Sequence, residues 1–158
     1  GVVPAGLSQD DALALAKKNK DPLPCFKITK GGNAQLCVEL LAQFLQDGNV
    51  CADITDAEVK ASCVGRAVFE KAVSGGDLAL CAQISDATLD QACLQKIIDA
   101  KKFTAADCVA LPDKEKNYCT GYLAYLADNA LFASAKSKSD CQKISDSTIK
   151  QFCLDKQL

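Results

Sequence analysis

Residues 81–93 read Cys81-Ala-Gln-Ile-Ser-Asp-Ala-Thr-Leu-Asp-Gln-Ala-Cys93, two cysteines twelve positions apart with a helix-start signal between them. The pattern recurs at Cys51–Cys63 and at Cys141–Cys153. Looser copies run from Cys25 to Cys37 and from Cys108 to Cys119, the last being one residue shorter. These five copies use all 10 cysteines of the 158-residue chain. A repeat of this kind indicates the architecture and the redox compartment before it indicates a biochemical role.

Each close copy carries the signal for a helix N-terminus. Thr55 is the predicted N-cap of the second copy, and Glu58 lies three residues later as its capping-box partner. Ile54 and Val59 flank that cap as a predicted hydrophobic staple. The equivalent caps and staples are Ser85 with Ile84 and Leu89, and Ser145 with Ile144 and Ile149. A helix is therefore predicted to begin in the middle of each unit, with the second cysteine about two turns inside it.

The repeat also predicts the disulfide pairing. Ten cysteines permit roughly nine hundred pairings, but equivalent cysteines in each unit should do the same thing. If the short segment before the cap and the helix after it form an antiparallel hairpin, the two sulfurs can meet across it. The predicted bonds are Cys25–Cys37, Cys51–Cys63, Cys81–Cys93, Cys108–Cys119 and Cys141–Cys153.

Composition limits which cellular compartments and which classes of partner are expected. The formal net charge is −2, and lysines are interspersed with acidic residues, so no nucleic-acid partner is expected. No stretch of about 20 apolar residues predicts a membrane span. The paired cysteines predict a secreted, extracellular protein. The chain begins with Gly1 rather than Met, which suggests that processing has removed a leader. A cytosolic zinc protein is the alternative, but the chain has no histidine and no Cys-x-x-Cys.

The chain alternates short and long helical segments, and no β-branched alternation predicts a strand. Residues 1–20 are predicted to form a tail and a lead helix, and residues 21–158 a five-unit disulfide-stapled repeat. The run Lys71-Ala-Val-Ser-Gly-Gly-Asp77 between units is similar to the alanine-then-Gly-Asp turn of tetratricopeptide repeats. The layout of residues 21–158 resembles that family. This resemblance implies an all-α, right-handed αα-hairpin solenoid without a β-sheet. A single compact helical bundle is the alternative architecture.

Catalytic chemistry is not expected. Without histidine, the commonest general base and the Ser-His-Asp and Cys-His nucleophile systems are missing. Five equivalent cysteine pairs are hard to reconcile with one redox centre, so the disulfides are predicted to be structural. Asp53, Asp56 and Glu58 could be imagined as calcium ligands, but helix capping explains them better. The sequence therefore predicts a non-enzymatic protein with no cofactor and no metal.

Two groups of residues are candidate interfaces. Tyr118, Tyr122 and Tyr125 lie at i, i+4 and i+7 of the longest predicted helix, on one face. They either pack against neighbouring helices or form a protein-binding stripe, since tyrosine is enriched at interfaces. Val2, Val3 and Leu7 belong to an apolar N-terminal tail that precedes the lead helix.

Two functional hypotheses follow. In the first, the chain is a structural subunit that assembles head to tail, with copies of itself, into an extracellular filament or surface fibre. A spare element at one end, an incomplete unit after Cys153 and the lack of an obvious polar cap suggest it. In the second, the chain is a monomeric secreted solenoid that binds a protein or peptide.

Overall fold

The computed structural model describes residues 3–29 and 31–158. The protein is all-α, as predicted, and its described residues form nine α-helices and two short 3-10 helices. The α-helices are α1 (Gln9–Asn19), α2 (Ala34–Leu45), α3 (Ala57–Gly75), α4 (Leu78–Cys81), α5 (Ala87–Lys101), α6 (Ala105–Val109), α7 (Asp113–Ser134), α8 (Lys138–Cys141) and α9 (Ser147–Lys156). The 3-10 helices are Leu23–Lys27 and Gly48–Cys51. Within the described ranges no strand is present, and the β-type pairing is an isolated bridge between Leu7 and Ile28.

Five disulfides link each short helix to the long helix that follows it. They are the pairs that the repeat predicts: Cys25–Cys37, Cys51–Cys63, Cys81–Cys93, Cys108–Cys119 and Cys141–Cys153. The paired Cα atoms lie between 5.5 and 6.0 Å apart, and all ten cysteines are fully buried. Each unit is therefore a small helical hairpin whose covalent link lies at its centre.

On a larger scale than the repeats, the chain divides into two compact parts. We call them the first unit, which ends at Ile97, and the second unit, Ile98–Leu158. In the first unit, α1 packs on α2 and α2 packs on α3. Its core joins Ala12 and Ala16 of α1 with Val38 and Leu41 of α2, all fully buried. Burial of a valine or leucine side chain of this kind stabilises a fold by about 1.5–3 kcal/mol.

The second unit is built around α7, against which α6, α8 and α9 pack. Ala135 and Ile144 form a core cluster with the Cys141–Cys153 disulfide. The carboxylate of Asp128 on α7 is buried, and it accepts hydrogen bonds from the backbone N–H groups of Ser145 and Asp146, both at 3.0 Å. A side chain on α7 thereby fixes the loop that leads into α9.

The N-caps lie one residue later than the sequence predicts. Asp56, Asp86 and Asp146, rather than Thr55, Ser85 and Ser145, accept the hydrogen bond from the third helical N–H. Two adjacent residues in each unit have suitable side chains, and an ionised carboxylate is the stronger acceptor next to the positive end of a helix dipole. The capping box predicted at Thr55 and Glu58 is therefore wrong. A capping box forms instead at Thr104 and Asp107, at the start of α6.

One helix terminus differs from what the sequence predicts. Glycine commonly takes the left-handed position after a helix, which predicts that Gly48 closes α2. Instead, α2 ends at Leu45 and Gln46 takes the left-handed conformation with φ 54°. Gly48 begins the following 3-10 helix instead, where Asp47 accepts from the Asn49 N–H at 2.9 Å. The same rule predicts that the Gly75-Gly76 pair closes α3, and Gly76 does so in the left-handed conformation.

Candidate protein-binding face

The three tyrosines share one side of α7 but have different environments. The rings of Tyr118 and Tyr122 are stacked, with centroids 6.2 Å apart and planes 13° from parallel. Both side chains are half-buried. The Tyr122 hydroxyl donates to the Asp99 carboxylate, at 3.0 Å from Oδ1 and 2.9 Å from Oδ2. Tyr125 is 56% exposed, and the neighbouring Leu126 is exposed as well. The stripe thus contains two packed rings and one that faces solvent.

Asp99 also affects the acid–base behaviour of Tyr122. Burial raises the pKa of this phenol above its ordinary value of 10.0, and the hydrogen bond to Asp99 and the charge of that carboxylate raise it further. A folded-state pKa above the unfolded one means that the neutral phenol contributes to stability below about pH 10. That contribution is lost as the pH rises through the folded-state pKa.

We expect Tyr122→Phe to remove this interaction and to lower the free energy of unfolding by about 1 kcal/mol at neutral pH. In an alkaline titration followed by tyrosinate absorbance, the variant should also lose the ionisation step that lies above the ordinary tyrosine pKa. Asp99→Asn is the matched control, since it removes the charge while keeping the phenol, and it should move that step to lower pH. An unchanged titration in both variants would contradict the contact.

The N-terminal candidates belong to the first unit. Leu7 packs against the core of that unit, its N–H donates to the Lys27 carbonyl at 3.2 Å, and its carbonyl accepts from the Thr29 N–H at 3.3 Å. Val3 is half-buried. Val2 lies outside the described residues. The structure therefore places Leu7 in contact with the segment that follows Cys25.

Large apolar side chains, exposed or half-buried, recur at equivalent positions on one side of the second helix of a repeat, which we call the pre-cysteine face. It consists of the residues one before, three after and seven after the second cysteine of a unit. On α2 these are Leu36, Leu40 and Phe44; on α7 they are Tyr118, Tyr122 and Leu126; on α9 the first is Phe152. Phe44 is 58% exposed and Phe152 is 63% exposed. Tyrosine content points to this face on α7 alone, whereas the shared position relative to the second cysteine also identifies it on α2 and α9.

On α3 the same face is small or charged, and a cleft lies beside it. Ser62 and Arg66 occupy its first two positions, and the cleft between α3 and the start of α5 has a volume of about 640 Å³. A Cβ added to Gly65 would lie 3.4 Å from Leu89 Cδ2 and 3.6 Å from Ile84 Cγ2. Both distances are ordinary van der Waals contacts, so α3 at Gly65 lies directly against the side chains of Ile84 and Leu89.

The cleft has an apolar lining and charged edges. Ala61, Gly65 and Leu89 contribute apolar surface, while Glu58 and Arg66 are exposed at its edge. Arg66 is the one arginine of the sequence; every other basic side chain is lysine. The guanidinium group can hold a carboxylate through two parallel hydrogen bonds, which an ammonium group cannot do.

In the described part of the chain, no group of three or more His, Cys, Asp or Glu side chains is placed so that it could hold a metal ion. None of the described helices is both long and apolar enough to cross a membrane.

The fold is that of an all-α protein with five intrachain disulfides, which is consistent with a secreted or extracellular protein. Comparison with protein-family models, with curated proteins and with solved structures finds no match.

Proposed function

We propose that this chain is a non-enzymatic structural subunit that assembles head to tail into an extracellular filament or surface fibre. The observation that carries the proposal is the pre-cysteine face. Large apolar side chains of this face are exposed on three helices: Leu36 and Phe44 on α2, Leu126 on α7 and Phe152 on α9. Contiguous exposed apolar patches mark contact surfaces, and a shared register on several hairpins would let these side chains contribute to one such surface.

The repeated hairpin supports a solenoid of the tetratricopeptide type. Three units share a short helix with a buried cysteine, an Asp-capped second helix and a disulfide between them. Hairpins of this kind bury their apolar faces by stacking on equivalent neighbours. A second copy of the chain is the simplest source of one more equivalent neighbour.

The disulfides fit a subunit that must persist outside the cell. Each closes a loop of 11 or 12 residues, which is worth about 3 kcal/mol in the chain-entropy model. Because every hairpin carries its own link, local opening and proteolysis are opposed throughout the chain. Catalysis does not need this distribution, since an exchange centre requires one reactive pair.

Electron microscopy of the non-reduced protein in negative stain, over a range of concentrations, tests the proposal. We expect unbranched polymers whose length increases with protein concentration, and light scattering should report the same increase in mass. Single small particles at every concentration would overturn the filament proposal.

A second candidate function is supported by Tyr125 and Leu126. These exposed side chains follow the stacked pair Tyr118 and Tyr122 on α7, and this arrangement suits a monomeric secreted module that binds a protein or peptide. Replacing Tyr125 with serine would then abolish ligand binding, measured by capture of a binding partner, and leave the molecular mass of the free protein unchanged.

A further inference from the structure

Two repeat-equivalent positions differ sharply in size. The residue before the second cysteine is Phe152 on α9 and Ser62 on α3. Phe152 is 63% exposed, whereas Ser62 helps to line the cleft of about 640 Å³ in the first unit. One helix therefore presents an aromatic side chain where its counterpart presents a recess.

The recess is suited to an aromatic side chain. Its volume lies within the range of about 300–1,000 Å³ that is usual for ligand sites. Ala61, Gly65 and Ala92 have little or no side chain, and Leu89 adds an apolar surface. The phenyl group of Phe152 needs an apolar surrounding to leave water favourably.

The charges around the two surfaces are complementary. On α9, Asp155 and Lys156 follow Phe152 by three and four residues, so they lie on the same helical side. At the cleft, Arg66 provides a positive charge, and Glu58 and Asp86 provide negative ones. Asp155 also accepts from Gln151 Nε2 at 2.8 Å, which holds its carboxylate beside Phe152.

We propose that Phe152 of one copy inserts into the cleft between α3 and the start of α5 of a second copy. Asp155 of the first copy pairs with Arg66 of the second. The inference rests on the proposed filament function and names its interface. Because the two surfaces are different, each bound copy leaves its own cleft or its own Phe152 free, and the contact can repeat indefinitely.

Two single substitutions separate the two sides of this contact. Phe152→Glu should raise the concentration needed for assembly by about tenfold to a hundredfold, as expected for an aromatic anchor. Ala61→Trp, at an exposed position of α3, should fill the cleft and have the same effect. Val109→Glu and Lys71→Trp are matched controls, since Val109 is 67% exposed and Lys71 is an exposed residue of α3. Both controls should assemble like the unaltered chain.

A mixture of the two blocked variants gives the decisive result. The Phe152→Glu chain keeps its cleft and the Ala61→Trp chain keeps its Phe152, so equal amounts should form dimers and nothing longer in analytical ultracentrifugation. The charge pair is tested within one chain: Arg66→Glu should weaken assembly, and adding Asp155→Lys should restore it. Circular dichroism and thiol counts establish that each variant is folded and oxidised.

The outcomes distinguish this interface from the proposed function. If the unaltered chain polymerises and the Phe152→Glu and Ala61→Trp chains polymerise equally well, the interface is wrong and the filament proposal stands. If the mixed variants remain monomeric, the interface is also wrong. An unaltered chain that stays monomeric at every concentration overturns both.

Discussion

Replacing Cys141 and Cys153 together with alanine should lower the free energy of unfolding of the second unit by about 3 kcal/mol. The bond closes a loop of 12 residues, and its loss returns conformational freedom to the unfolded chain. The second unit is also short, with 61 residues from Ile98 to Leu158, so its core alone supplies little stability. Urea denaturation under non-reducing conditions, followed by the helix signal, measures the change.

The pair Cys108 and Cys119 provides the matched comparison in the same unit. Its loop is one residue shorter, at 11 residues, so the same double substitution there should cost nearly the same free energy. All four sulfurs are fully buried, and a reducing agent should therefore act slowly on the native protein and quickly in urea. An unfolding curve unchanged by either double substitution would contradict a structural role for these bonds.

The all-α class and the five bonds could be predicted because both depend on sequence-local patterns. A disulfide between residues 11 or 12 positions apart joins neighbouring elements, so its spacing is visible in the sequence. The repeat then removes the ambiguity of pairing, because one geometry must serve every copy. The all-α class is visible in the same way, because short and long helical segments alternate along the sequence and no β-branched alternation indicates a strand.

Which residue caps a helix could not be settled at the same level. Thr55 and Asp56 are adjacent, and both residue types cap helices well. The choice depends on how the chain leaves the preceding short helix, where the Ile54 N–H donates to the Cys51 carbonyl at 3.1 Å. This turn brings the Asp56 side chain, rather than that of Thr55, to the N–H of Val59.

The environments of the candidate interface residues depend on contacts that are distant in sequence. Spacing places the three tyrosines on one side of α7, but the bond between Tyr122 and Asp99 spans 23 residues. The cleft requires Gly65 of α3 to meet Ile84 and Leu89, which lie beyond α4. Residue spacing does not reveal contacts between residues that are distant in sequence. The sequence alone could therefore not show that two of the tyrosines are packed and one is exposed, and it could not locate the cleft.

Substitution of Asp128 should have the other large effect on stability. Its buried carboxylate accepts from two backbone N–H groups, those of Ser145 and Asp146, at 3.0 Å each. Hydrogen bonds to a charged group are worth about 1.5–3 kcal/mol, and alanine would leave both donors without this acceptor. We expect Asp128→Ala to lower the free energy of unfolding of the second unit by about 3 kcal/mol.

Asp128→Asn separates the charge of this side chain from its shape. The amide oxygen can keep one of the two hydrogen bonds, but the amide N–H₂ would face the second donor, so the expected loss is about 1–2 kcal/mol. Asn117→Ala, an exposed change on the same helix, should alter the free energy by less than about 0.5 kcal/mol. In urea denaturation, the loss of free energy of unfolding should be largest for Asp128→Ala, smaller for Asp128→Asn and smallest for the Asn117→Ala control. This order would establish that α7 fixes the loop before α9 through this carboxylate. Equal effects of Ala and Asn would instead assign the loss to the charge, because only the negative group suits the N-terminal end of α9. Without the Asp128 carboxylate, the loop before α9 would lose its support. The α9 face that carries Phe152 would then lose its fixed position.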